Sequence, residues 1–276
     1  MKCVVSGGTG FLGRHICDRV RLGGHEVSAW GRNPDYASLS AADAVIHLAG
    51  EPVAQRWNDA VKQRIRDSRL LGTRHLVDAL ARLDRRPSVL VSASAIGIYG
   101  DRGDEILTET SAPGSGFLVD VCKGWEAEAS RAADFGIRVV KLRIGFVLGD
   151  GGALAQMVPA FKAFAGGRLG SGLQWMPWIH IADVAELFAR ALETDIRGIW
   201  NATSPNPVRN AEFTRELAAV LHRPALFPVP PFALKLLFGD LAQHMLDSAR
   251  VVPQAALEAG FRFRFPEIRP ALENLL

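Results

Sequence analysis

The chain has 276 residues, of which 48% are hydrophobic, and its 32 basic and 29 acidic side chains leave a net charge of +3. These values exclude collagen-like, disordered and disulfide-scaffold proteins, and so small a charge excess suggests neither a nucleic-acid nor a membrane surface. Three cysteines, Cys3, Cys17 and Cys122, point to a reducing compartment. The opening apolar run is shorter than a signal peptide's and no run reaches the roughly 18 uncharged apolar residues of a membrane span, so a cytoplasmic protein is expected.

In chain order, the β-branched run KCVVS reads as a strand and GGTGFLG as a glycine turn. Leu12, Ile16 and Val20 then mark a helix that stops at Gly23-Gly24, and HEVSAW is a second strand. Strand, glycine turn, helix and strand within about thirty residues form a βαβ unit. ADAVIHLAG (42–50) is a third strand, apolar enough to be buried on both faces of a parallel sheet. A long helix is predicted over 58–83, a strand over 88–94, a helix over 117–135 and a strand over 138–149.

After Gly149 the alternation loosens into a glycine- and aromatic-rich stretch, and helix signals return at 181–192. A late strand follows at 198–204, then SPNPVRN introduces another helix. HRPALFPVPPF (222–232) reads as a packed loop, and GFRFRFPEIRP as an edge strand with alternating faces rather than a nucleic-acid patch. The fold class is α/β: a Rossmann-type doubly wound parallel sheet from 1–150 and about 179–204. A smaller, partly discontinuous C-terminal substrate domain would take about 151–178 and 205–276.

Gly7, Gly10 and Gly13 follow a strand and open a helix, the context in which glycines serve a dinucleotide. Gly7 makes the tight turn, Gly10 leaves room for the pyrophosphate and Gly13 lets helix and strand pack closely, while the amides near Phe11 and Leu12 face the phosphates. Gly31 stands where an NAD site places an acid, and Arg32 after it suits a 2′-phosphate; NADP(H) is predicted over NAD(H). Leu48, Ala49 and Gly50 end the third strand beside the adenosine half, and His47 reads as a packed strand residue. Ile65, Arg69, Gly72 and Leu76 share a helix face, which sets Arg69 among apolar residues. A buried arginine needs an anion or several acceptors, such as a core carboxylate or carbonyl groups.

The motifs GGTGFLG, GHEV, VIHLAG, VSASAIGIYG, LRIGFVLG and WIHIADVA together resemble the short-chain dehydrogenase/reductase superfamily in its extended, epimerase-like branch. HLAGEPVAQRW, IRDSRLLGTRHL and GGRLGSGLQWMPWIHIADV look like a subgroup whose reaction is generally unassigned. The resemblance implies a tyrosine acid/base, a lysine four residues later, a substrate-holding serine and an upstream asparagine. On that pattern Glu126 is the glutamate that follows the lysine by four, Cys122 stands at the lysine and Leu118 at the tyrosine, all three on one helix face, and Arg69 stands at the asparagine, which makes the cofactor or the substrate its partner. The chain has only two tyrosines, Tyr36 and Tyr99, and neither is followed by a lysine four residues on.

Ser94 matches the serine, with Ser92 two residues away on the same strand face. Cys122 is either a proton donor, its thiol lowered by a cation such as Arg69, or an inert buried thiol. Arg143, in the strand 138–149, is assigned to the cofactor set. Arg168, Gln174, Trp175, Met176 and Trp178 read as a substrate wall or aromatic core, and Arg56 and Trp57 as its opposite side. No metal site is expected.

Two functions are open at this level. One is an NADP(H)-dependent oxidoreductase or epimerase-like enzyme acting on a small, sugar-like or carbonyl compound. The other is a non-catalytic NADPH-binding sensor or partner-binding protein. By the resemblance, a homodimer through the two long helices is expected.

Overall fold

The computed structural model describes residues 1–31 and 33–276. β1 (Lys2–Ser6) runs into α1 (Phe11–Leu22), which buries Gly13, Ile16, Cys17 and Val20 and ends at Gly23. β2 (Glu26–Trp30) follows, then β3 (Ala44–His47), α2 (Asp59–Ala81), β4 (Val89–Ala95) and the short β5 (Ile106–Leu107). α3 (Phe117–Ser130) leads to β6 (Arg138–Ile144), β7 (Phe146–Leu148) and α4 (Gly152–Lys162). β8 (Trp175–Met176), β9 (Trp178–His180), α5 (Ile181–Glu193) and β10 (Gly198–Ala202) come next. The chain closes with β11 (Val208–Arg209), α6 (Asn210–Val220), α7 (Pro231–Phe238), α8 (Leu241–His244), β12 (Arg250–Val251), α9 (Gln254–Glu258) and α10 (Ile268–Glu273).

Six strands pair in parallel in the order β10-β6-β4-β3-β1-β2. Alternation along each strand sends side chains to two layers. Val5, Ile46 and Val91 lie in register and pack with α1 and α5, while Val4, Val45 and Leu90 pack with Leu76, Val77 and Leu80 of α2. From β1 the chain crosses to β2 on one side, and from β2 it crosses back past β1 to β3. The β1/β3 junction is therefore a topological switch point, where open sheets of this kind leave a crevice at their C-terminal ends.

The later half departs from the expected elements in three places. The strand expected over 138–149 breaks at Gly145, where a Cβ would stand 2.5 Å from the Pro177 carbonyl oxygen, and β7 turns out of the sheet to pair with β9. No strand forms from the GFRFRF run; instead the backbone N–H groups of Arg264 and Phe265 donate to the buried Asp183 carboxylate at 2.7 and 3.0 Å. The proline-rich 222–232 segment is packed only in part: Val229 bonds to Arg168 and Gly170 through the backbone, while Leu226 and Phe227 are exposed. A second core, including Phe161, Trp178, Phe213, Leu217, Ile268 and Leu272, gathers α4, β9, α6 and α10. No helix among the described residues is long and apolar enough to cross a membrane.

Candidate functional site

The glycine turn sits at the switch point. Gly7 has φ +77°, and a Cβ there would stand 2.9 Å from the Ala49 nitrogen, so the exit of β3 closes on the turn. At Gly13 a Cβ would meet the Gly7 carbonyl oxygen at 2.1 Å, so helix and turn touch backbone to backbone. Gly10 is different: its φ is −76°, and a Cβ would meet only the Gly7 oxygen at 3.3 Å. The fold itself hardly demands glycine there, and the space in front of it is open.

α1 starts at that point with no side-chain cap and no acidic residue in its first turn. Its first amides are left to an external acceptor, with the helix dipole behind them. Gly31 borders Thr9, whose Oγ1 would be 3.3 Å from a Cβ at that position, while Leu48 donates its N–H to the Ser6 carbonyl. Gly7, Gly10, Phe11, Leu12, Gly13, Gly31, Leu48, Ala49 and Gly50 thus share one edge; Arg32 lies outside the described residues. The ring of Phe11 is wedged against the 149–152 loop, where Cβ atoms at Gly149, Gly151 and Gly152 would come within 2.6–3.0 Å of it.

Beneath this edge, Ser6 Oγ is 2.7 Å from His47 Nδ1, and His47 Nε2 is 3.0 Å from Thr73 Oγ1. Burial, helped by the charge of Arg69, pushes His47 down to about 4, so it is neutral, as a packed strand residue should be. Arg69 projects from α2 against Gly50, its Nη1 donating to the carbonyls of Glu51 (3.1 Å) and Ile65 (3.3 Å), its guanidinium 5.1 Å from the Trp125 ring centre. Of the partners expected for it, carbonyl groups are the ones present.

The expected catalytic set is rearranged. Leu118 faces Gly97, where a Cβ would meet the leucine Cβ at 3.3 Å. Cys122 keeps its proton: burial first, with Glu126 adding to it, pushes its thiol up to about 12, against the pull of Arg69 and Arg143. It packs among Ile98, Tyr99, Leu107 and Val251. Ser94 does not present its hydroxyl to a substrate, because it is buried and donates to Glu126 Oε1 at 2.6 Å. The other candidate, Ser92, is fully buried and donates to a strand carbonyl.

Arg143, assigned to the cofactor set, is held by the protein's own groups. Its Nε and Nη2 donate to the two Glu126 oxygens at 2.8 and 3.0 Å, and its Nη1 donates to the Tyr99 hydroxyl at 2.9 Å. That hydroxyl lies 2.7 Å from Asn201 Oδ1. The sequence reading missed this buried network; its one signal was an acid, Glu126, on the same helix face as Cys122.

The expected substrate wall is mostly the protein's own interior. Trp178 is fully buried and donates to the Asn206 carbonyl, and Gln174 is buried with its amide on the Leu169 and Met245 carbonyls. Trp175 donates to Asp104 at 2.7 Å, with the guanidinium groups of Arg209 and Arg250 at 4.7 and 4.6 Å from its ring centre. Trp57 is buried, packed against Phe117 and His244, while Arg56 is exposed. Both line a shallow depression of about 610 Å³ whose far side is α7.

Residues 3–202 match the family described as NAD dependent epimerase/dehydratase. The chain belongs to that family. Residues 229–275 match a domain of unknown function, DUF1731. Among family members, the chain is 39% identical over 302 residues to the epimerase family protein SDR39U1 homolog, chloroplastic, of Arabidopsis thaliana, covering all of this chain and 87% of that one. It is 36% identical over 297 residues to the epimerase family protein YfhF of Bacillus subtilis, covering 100% and 98% of the two chains. The crystal structure of human epimerase family protein SDR39U1 (isoform 2) with NADPH superposes with a TM-score of 0.92 at 33% identity, covering 100% of this chain and 99% of that one.

Proposed function

We propose that the protein is an NADP(H)-dependent oxidoreductase of the epimerase family whose own side chains supply binding and charge but no proton donor of the family's usual kind. The observation that carries the cofactor reading is the uncapped start of α1 beside the open space at Gly10. Gly7, Gly10, Phe11, Leu12 and Gly13 would hold the pyrophosphate, Gly31 and Arg32 the adenosine ribose with its 2′-phosphate, and Leu48, Ala49 and Gly50 the adenosine side. NADPH in the human relative supports this choice over NAD(H). When bound, the nicotinamide supplies a hydride. Arg69 would place positive charge where negative charge develops on a substrate oxygen. Water or the substrate itself handles the proton, since Leu118 has none to give and the buried Cys122 thiol holds its own too tightly.

We assign residues 1–150 with 179–204 to the cofactor and 151–178 with 205–276 to the substrate side. Three free, buried cysteines support a reducing compartment, of which the cytoplasm is the simplest. A homodimer through α2 and α3 belongs to the same reading. The second reading, a non-catalytic NADPH sensor or partner-binding protein, is favoured by the mutual bonding of Ser94, Glu126 and Arg143, which commits the hydroxyl at the family's serine position to the protein's own network.

Titration with NADPH and NADH tests the first link. NADPH should bind more tightly, and Arg32→Ala should lose about tenfold on NADPH and little on NADH. Gly10→Ala should keep stability within about 1 kcal/mol while weakening both cofactors more than tenfold. Equal affinities in the wild type, or a Gly10→Ala variant that binds normally, would sink the assignment. A carbonyl-compound screen for NADPH oxidation, with Arg69→Ala as the control, then separates the two readings: no turnover across the screen favours the sensor.

A further inference from the structure

We propose that the depression beside Trp57 takes an amphipathic monoanion, of the class of a medium-chain carboxylate, in preference to a nucleotide sugar. That such a ligand is the substrate rests on the NADP(H) reading above; that it binds does not. The near wall is the 56–59 turn, anchored by backbone bonds. The Trp57 N–H donates to the Phe238 carbonyl at 2.9 Å, and a Cβ at Gly239, whose φ is +62°, would stand 2.3 Å from the Trp57 carbonyl oxygen. The far wall is α7, whose Phe232 and Leu236, one helical turn apart, remain 76% and 73% exposed. Large apolar side chains left open side by side over a concavity mark a surface meant to be covered. A volume of about 610 Å³ suits a small molecule.

Charge decides which small molecule. Asp240 accepts from Lys62 at 2.9 Å and from Lys235 at 2.7 Å, and Lys62 also reaches Asp59 at 3.0 Å. Two lysines are thus matched by two aspartates. Arg56, at the rim, forms no ion pair among the described residues, so the depression offers one uncommitted cation over an apolar bed. One carboxylate with a hydrocarbon body satisfies that arrangement. The pyrophosphate of a nucleotide sugar brings two charges, and only one cation is free to receive them.

Packed core lies between the depression and the position of the family's tyrosine. Trp57 heads a buried cluster with Val61, Ile65 and Val121, against which Phe117 and Leu118 pack, and Leu118 holds the position of the family's tyrosine.

Calorimetric titration of the full chain with octanoate, decanoate, decanol and UDP-glucose tests the assignment. Decanoate should bind about fifteenfold more tightly than octanoate, from two further buried methylenes. Arg56→Ala should cost decanoate about tenfold and decanol nothing, and Leu236→Ser should weaken both; each residue is exposed, so the variants fold. No gain with chain length, an Arg56→Ala variant that holds decanoate normally, or UDP-glucose displacing decanoate overturns the proposal. So does flotation with phosphatidylglycerol vesicles in the absence of any decanoate binding, which would make α7 a membrane contact. NADPH titrated separately into the wild-type protein tells failure of the cofactor reading from failure of this one.

Discussion

At the scale of single residues, hydration outweighs neighbours. Two arginines near Cys122 favour its thiolate, yet the residue is only 2% exposed and the lost water dominates. The consequence runs through linkage. In the unfolded chain the thiol ionises near 9, whereas in the folded chain it ionises near about 12, so its contribution to stability is complete below pH 9. That contribution is lost as pH rises from 9 toward 12. Urea unfolding of wild type and Cys122→Ala should therefore differ by a constant below pH 9, and the gap should narrow above it. A gap that stays constant to pH 11 would mean the thiol is not protected.

The same scale separates Trp175 from Trp178. Tryptophan in a glycine-rich stretch fits a ligand wall and a core equally well, and the deciding fact is where each indole N–H finds its acceptor: Asp104 for one, the Asn206 carbonyl for the other.

At the scale of elements, α3, β4 and β6 are joined by one buried ion pair. Glu126 and Arg143 are 7% and 4% exposed, and the pair also satisfies Ser94 and Tyr99. Breaking one side leaves a buried charge without its partner. Glu126→Gln should lower unfolding stability by about 3 kcal/mol, whereas the double change Glu126→Leu with Arg143→Met should recover most of it, both read by urea denaturation. A double variant as unstable as the single one would show that the network contributes through shape alone. The spacing of Leu118, Cys122 and Glu126 made their common face legible, because i, i+4 neighbours are a property of the helix itself. Arg143, seventeen residues beyond Glu126, had no such local marker.

At the scale of the whole molecule, the C-terminal segment completes both cores. Ala256 and Phe261 pack with the sheet layer, while Ile268, Ala271 and Leu272 close the second core, all of them at 6% exposure or less. Arg190 Nη2 donates to the Ala259 carbonyl at 2.7 Å, and Asp183 receives the two amides of 264–265. Stability of a domain is only about 5–15 kcal/mol, so a chain ending at Pro253 should lose cooperative unfolding, measured by near-ultraviolet circular dichroism against urea. A sharp transition in the truncated chain would show that the sheet layer stands alone. The parallel α/β architecture, the glycine turn and the vacancy of the tyrosine and lysine positions were all readable in the amino-acid order, because each depends on neighbours within one strand, turn or helix. The bonding of Ser94, Arg143 and Asn201, the open bed on α7 and the neutral state of Cys122 were not. They arise from segments as much as 178 residues apart that meet only in the folded chain, where burial and the nearest partner set each group's charge and reach.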